Sequence, residues 1–468
     1  MAPVTVTNDP ATWRHVPATS TPLDHARVAT LMAAEWDRFT TTTPASGEHN
    51  ARASKSLPLG VTSSFQHWDP YPISVVSARG AWLTDVDGRQ LLDLSMGFGA
   101  MLVGHLNPTV VARVTEALET TGTLFVTPSP SATEVAERYQ QRFGVDRLRF
   151  TNSGTEATSY AVRTARAYTG RKAIVKLEGG YHGGYDGLSV SVKPAVADAG
   201  PEGAPIAVTP FDVEAGVVHP VPYNDIDRLR EVFEANRGTI AAFVLEPVME
   251  NIGICLPQPG YLQAVREITE RHGTLLIFDE VKTGITAGWG GATGALGVTP
   301  DLVALAKSIG GGLPLGAFGG KREYMDQITL GRVIHLGTYN GNPLCMAAAK
   351  AVLTEVCTPE ATEQTILRNS RLVDACNEII DRAGLPAHTI QFGAKGCVTW
   401  APEPIRNYRD YKATDFDLAF AQWIHGINRG VLLPPGLDEQ WLISVMHDDA
   451  AALRYAEVFA EFVDELTA

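Results

Sequence analysis

The sequence predicts an α/β protein: a large, mostly parallel sheet covered by helices, with a smaller α+β unit built from both ends of the chain. Three observations carry this. Between about residues 105 and 345, short apolar runs alternate with amphipathic helical segments. Those runs are almost continuously hydrophobic, which suits strands buried on both faces. At 468 residues the chain also exceeds the roughly 100–200 residues of a single domain.

The elements follow in order. Residues 1–58 are polar and rich in Thr, Ser and Ala, with one helix expected over 23–39 on the apolar positions Val28, Leu31, Met32, Ala34 and Trp36. This stretch reads as an arm and a helix that lie on a partner surface rather than fold alone. Residues 59–104 form the N-terminal part of the small domain, and a hairpin is expected where 81–86 and 91–94 flank Asp87-Gly88. Asn107-Pro108 then opens a helix, with proline in the first turn. The large domain, 105–345, holds strands predicted over 147–151, 173–177, 241–245 and 274–278. Helices over 225–236 and 261–271 are each followed by a glycine (Gly238, Gly273) suited to a C-cap. The C-terminal part of the small domain, 346–468, is expected to hold helices over 346–356 and 366–383, strands over 398–401 and 441–446, and a closing helix over 449–466.

Composition narrows the function. Hydrophobic residues make up 45% and charged residues 19%, as in an ordinary globular protein. The excess of 52 Asp+Glu over 38 Lys+Arg gives −14, which would repel a polyphosphate backbone, so no nucleic-acid partner is expected. No apolar stretch approaches the roughly 20 residues of a membrane helix. The start, Met-Ala-Pro-Val-Thr-Val-Thr-Asn-Asp, has no signal-peptide pattern. Five cysteines without a CxxC pair argue against a disulfide framework. A reduced, cytoplasmic enzyme is the expectation. There is no HExxH and no GxSxG, no metal set is expected, and the glycines around Gly97 and Gly316 have the wrong spacing for nucleotide loops.

Four polar clusters fall at the expected carboxyl ends of strands, where ligands of open α/β sheets bind. Asn152-Ser153-Gly154-Thr155-Glu156 opens a helix, and its small residues and exposed N–H groups suit a phosphate; an ordinary capped helix is the rival. In Glu178-Gly179-Gly180-Tyr181-His182-Gly183, glycines around Tyr181 could offer a stacking platform or form a plain surface turn. His182 reads as a supporting residue rather than the base. Asp279 ends a strand, where a carboxylate needs a cationic partner such as a protonated ring nitrogen; a helix cap or a metal ligand is the alternative. Lys307 follows an apolar run and precedes Gly310-Gly311-Gly312, a setting in which desolvation would make it a Schiff-base nucleophile.

In order and context these segments, with Gly337-Thr338-Tyr339-Asn340-Gly341-Asn342-Pro343, resemble the class III aminotransferases, pyridoxal-phosphate (PLP) enzymes of fold type I. Val298-Thr299-Pro300-Asp301-Leu302 and the run from Gly310 to Gly320 bring the likeness nearest to the glutamate-1-semialdehyde 2,1-aminomutase branch. The resemblance runs from about Gly60 to the C-terminus. It implies that Lys307 holds PLP through a Schiff base and shuttles protons, and that Asp279 pairs with the ring nitrogen. Tyr181 and Val281 would cover the two ring faces, and Ser153, Gly154 and Thr155 would bind the phosphate. Thr338 would reach that phosphate from the second subunit of a homodimer, whose two active sites are shared, and Asn251 would lie near the ring hydroxyl.

Where that branch carries an arginine for the substrate carboxylate, this chain has Gln66, which cannot make the same charge-assisted contact. Gly184 replaces a histidine and Glu250 a glycine, whereas Glu439 is kept near the expected substrate amine. Trp441 stands where the branch has a small residue, and with Phe65, His67 and Trp68 it is expected to wall the substrate pocket. These departures favour an aminotransferase moving an amino group between a small-molecule amine or amino acid and a keto acid or aldehyde. A 2,1-aminomutase, a PLP-dependent ammonia-lyase and an inactive scaffold are the rivals.

Overall fold

The computed structural model describes residues 14–17, 19–194, 217–434 and 440–468. The chain divides into two units. One comprises the described parts of Pro108–Glu363 together with Ile405–Ala413, a short return that the sequence pattern did not suggest. The other holds the described parts of Ala11–Asn107, Gln364–Pro404 and Thr414–Ala468.

The first unit is organised by a seven-stranded sheet in the order Arg147–Thr151, Gly316–Gly320, Leu302–Leu305, Leu275–Asp279, Ile240–Leu245, Ala173–Leu177, Val218–Val221. Only Gly316–Gly320 runs antiparallel to its neighbours; the remaining pairs are parallel. All residues of Ala173–Leu177, Ile240–Leu245 and Leu275–Asp279 are buried, so both sheet faces are covered. The helix Gly154–Thr169 places Ala157, Ala161, Val162 and Ala165 on a core with Ile174, Val244, Ile277 and Phe318. It ends at Gly170 in the left-handed region, where glycine is favoured. The Gly316–Gly320 strand was invisible to a periodicity search because close approach, not hydrophobicity, selects its residues. A Cβ at Gly316 would lie 2.5 Å from the Ser153 carbonyl oxygen.

The second unit carries two four-stranded sheets. One runs Arg14–His15, His388–Phe392, Lys395–Thr399, Trp441–Leu442; the other runs Val431–Leu432, Gln90–Asp93, Trp82–Asp85, Val75–Arg79. The late strands are shorter or shifted relative to expectation, and His388–Phe392 was not anticipated. The N-terminal helix, His25–Thr42, packs one face on its own chain, against Phe416–Asn428. Phe39 is fully buried with Leu91, Trp423, Ile424 and Ile427. Glu35 accepts from Arg429 Nη1 at 2.9 Å and from Asn428 Nδ2 at 2.7 Å. Among the described residues no helix is long and apolar enough to cross a membrane.

Candidate active site

The strand Arg147–Thr151 delivers the chain into the helix Gly154–Thr169. Ser153 caps that helix, its Oγ accepting from Glu156 N at 3.2 Å, and Glu156 Oε2 accepts from Asn152 N at 2.7 Å. The first-turn N–H groups have no acceptor within the helix, and the dipole favours an anion there. A Cβ at Gly154 would lie 3.0 and 3.1 Å from the Val281 methyls and 3.5 Å from Ala306 Cβ. The helix start therefore meets Val281 and the backbone that leads into Lys307.

Asp279 is the last residue of Leu275–Asp279 and is buried. Its Oδ1 accepts from Val281 N at 3.0 Å, and its Oδ2 lies 2.8 Å from His182 Nδ1. The His182 carbonyl accepts from Thr158 Oγ1 at 2.7 Å, and Gly184 N donates to Thr155 Oγ1 at 3.2 Å. Gly183, at φ +96, brings the loop so near the helix that a Cβ would sit 2.6 Å from Thr155 Cα. Between these pinned residues Tyr181 remains 48% exposed. Desolvation and then Asp279 raise its phenol above the ordinary value.

Glu246, one residue beyond the strand Ile240–Leu245, is buried and accepts from Asn251 Nδ2 at 2.8 Å and from Glu250 N at 3.0 Å. Burial pushes its carboxyl up, and Asp279 adds to this, while His182, Asn251 and Lys282 oppose it. The sequence reading passed over Glu246 as a participant, although its place at a strand end was the signal used for the other clusters. Asn251 Nδ2 also reaches the Tyr181 carbonyl at 3.5 Å.

Leu302–Leu305 pairs in parallel with Leu275–Asp279, Ala304 opposite Asp279. Lys307 follows at φ +54 and opens the turn Lys307–Gly310. A left-handed lysine is uncommon, and such outliers gather where a side chain must be aimed. Thr338 is exposed; two residues on, Asn340 Oδ1 accepts from Asn152 Nδ2 at 2.9 Å.

The expected substrate residues lie in the second unit and fare differently. Gln66 is exposed, and its Oε1 accepts from Thr62 Oγ1 at 2.8 Å and from Thr62 and Ser63 N at 3.2 Å, so it caps its own turn. Trp68 is not simply a pocket wall, because its ring packs on Trp423 at 4.6 Å and on Phe39 at 5.1 Å between centroids. Trp441 corrects the expectation outright: it is 2% exposed and donates from Nε1 to Asn369 Oδ1 at 2.7 Å. Its indole fills the space over Gly396, where a Cβ would meet it at 2.6 Å, which makes it a core residue. Glu439 lies outside the described residues.

Comparison with known proteins identifies the family of the chain. The profile of the family "Aminotransferase class-III" matches residues 64–386. A glutamate-1-semialdehyde 2,1-aminomutase 2 of Brevibacillus brevis is 38% identical over 407 residues, covering 85% of this chain and 93% of the relative. The glutamate-1-semialdehyde aminomutase of Pseudomonas aeruginosa PAO1, solved in complex with PMP, superposes with a TM-score of 0.87 at 28% identity, covering 95% of this chain and 100% of that one. An omega-transaminase of Sphaerobacter thermophilus gives a TM-score of 0.85 at 32% identity, covering 91% and 98%.

Proposed function

This chain belongs to the class III aminotransferases, and we propose that within that family it transfers an amino group from an external amine donor to a keto acid or aldehyde. It is a PLP-dependent enzyme of fold type I. The residues present fit that cofactor. A capped helix start with free-standing N–H groups suits a phosphate. A buried carboxylate braced by Val281 N and His182 suits a protonated ring nitrogen. The exposed Tyr181 ring and the Val281 side chain suit the two faces of a flat ring.

When bound, PLP supplies an electron sink for the charge left at a deprotonated substrate carbon. The chain's own residues do the rest. Ser153, Gly154 and Thr155 would hold the phosphate, Thr338 would add to that grip from a second subunit, and Asn251 would address the ring hydroxyl. Asp279 would keep the ring nitrogen protonated. Lys307 Nζ would carry the cofactor and take and return the proton at the substrate carbon.

The observation that favours an external donor is Gln66. At the position where the aminomutase branch holds a carboxylate-binding arginine, this side chain is neutral and engaged with Thr62 and Ser63. The similarity to proteins named as aminomutases supports a second reading, internal exchange within glutamate-1-semialdehyde. The purified protein with PLP separates the two. Product formation that requires an added amine, one donor consumed per product, supports transfer. Donor-independent conversion of glutamate-1-semialdehyde to aminolevulinate overturns it.

A further inference from the structure

The strand Ala173–Leu177 is wholly buried and apolar except for Lys176, which is itself fully buried. Residues two apart on a strand share a face, so Lys176 lies on the side of Ile174, within the core that also holds Leu188 and Val190. Its Nζ donates to the Gly180 carbonyl at 2.7 Å and to the Val190 carbonyl. Next to these acceptors, Gly179 N donates to Ser191 O at 2.8 Å. The two limbs of the segment that carries Tyr181 are thus clasped at one ammonium group.

We propose that Lys176 is a positioning residue for cofactor binding, tying the Gly180 carbonyl of the Gly179–Gly184 loop to the Val190 carbonyl so that Tyr181 is presented as a ring platform. This rests on the reading of Tyr181 given above. Gly180 immediately precedes Tyr181, and His182 immediately follows it. Lys176 fixes the first; Thr158 and Asp279 fix the second. Tyr181 itself is the member left open to solvent. Burying an ammonium group is costly, and burial pushes this one down to about 7 against the pull of Glu246. Methionine would fill the same space without that cost. The lysine supplies what methionine cannot: donors that reach two carbonyls of different segments.

The test is a double-mutant cycle on the full chain, reading PLP affinity and the visible circular dichroism per bound PLP, with thermal unfolding as the control. Lys176→Met is expected to unfold within a few degrees of wild type, yet bind PLP roughly tenfold more weakly and with diminished dichroism. Tyr181→Ala is expected to show a similar defect. In the Tyr181→Ala background, Lys176→Met should then add less than about twofold, because both changes remove one platform. Wild-type affinity and dichroism in Lys176→Met, with Tyr181→Ala impaired, overturn the role of the lysine and leave Tyr181 standing. Full additivity overturns it too, by placing the effect of the lysine elsewhere. A silent Tyr181→Ala removes the platform and the proposal together. If Lys176→Met does not fold, Lys176→Gln, with a donor one bond shorter, should give the same defect in weaker form, and wild-type behaviour there overturns the proposal.

Discussion

His182 Nδ1 lies 2.8 Å from Asp279 Oδ2, with the imidazole closed off from solvent and the carboxylate nearly so. Asp279 therefore arrives with one oxygen held by the imidazole and the other by Val281 N. A hydrogen bond to a charged group contributes about 1.5–3 kcal/mol. His182→Leu should accordingly cost roughly tenfold to a hundredfold in kcat/KM. Kinetics at saturating PLP would check this, and an unchanged value would separate His182 from Asp279.

Lys307→Ala removes the only residue assigned to move the reacting proton. General acid–base groups contribute typically about 10²–10⁴-fold, so turnover should fall by at least about a hundredfold while the protein stays folded. The visible absorbance of lysine-bound PLP should vanish with it. Substantial retained activity would sink the assignment.

Trp441→Ala should act on stability. Deleting a buried tryptophan costs about 3–5 kcal/mol, here with Asn369 Oδ1 left without its indole donor. Denaturant unfolding measures the loss. For Trp441→Phe, the ratio of kcat/KM values between a bulky and a small acceptor should stay as in wild type, and a changed ratio would return this residue to the pocket wall.

His388 and His447 should make the protein acid-sensitive. Burial pushes both imidazoles down to about 4, with the Ala401 carbonyl opposing it at His388 and Asp93 opposing it at His447. Between about pH 6.5 and pH 4 the unfolded chain binds protons that the folded chain refuses. Stability thus falls as pH falls through that window and levels off below it. The combined loss is on the order of a few kcal/mol. Unfolding free energy measured against pH should show this slope, and His388→Gln with His447→Gln should make it shallower, the remainder coming from His335 and His425, which burial also pushes down.

Much of the site was legible because strand ends announce themselves. Asp279 and Lys307 stand at the ends of short apolar runs and Ser153 follows the strand Arg147–Thr151, and the chemistry of an α/β sheet gathers there. The bond between His182 and Asp279 spans 97 positions, and no local pattern encodes it. The left-handed backbone of Lys307 was hidden as well, since nothing in its side chain asks for it. Trp441 was misjudged for a plain physical reason: an aromatic residue beside a strand reads the same whether it faces a pocket or a core. The glycine that receives it, Gly396, lies 45 positions earlier in sequence.

Ile405–Ala413 returns to the first unit and sets Arg409 Nη2 3.0 Å from Glu178 Oε1, on a carboxylate that is almost fully buried. The two residues are separated by 231 positions. On a ribosome adding about 5–20 residues per second, Arg409 emerges on the order of ten to fifty seconds after Glu178. Throughout that interval the carboxylate lacks its counter-charge, and sealing it into the interior would be unfavourable. Burial of Glu178, which immediately precedes the Tyr181 loop, is therefore compensated by an ion pair only once Arg409 has been made.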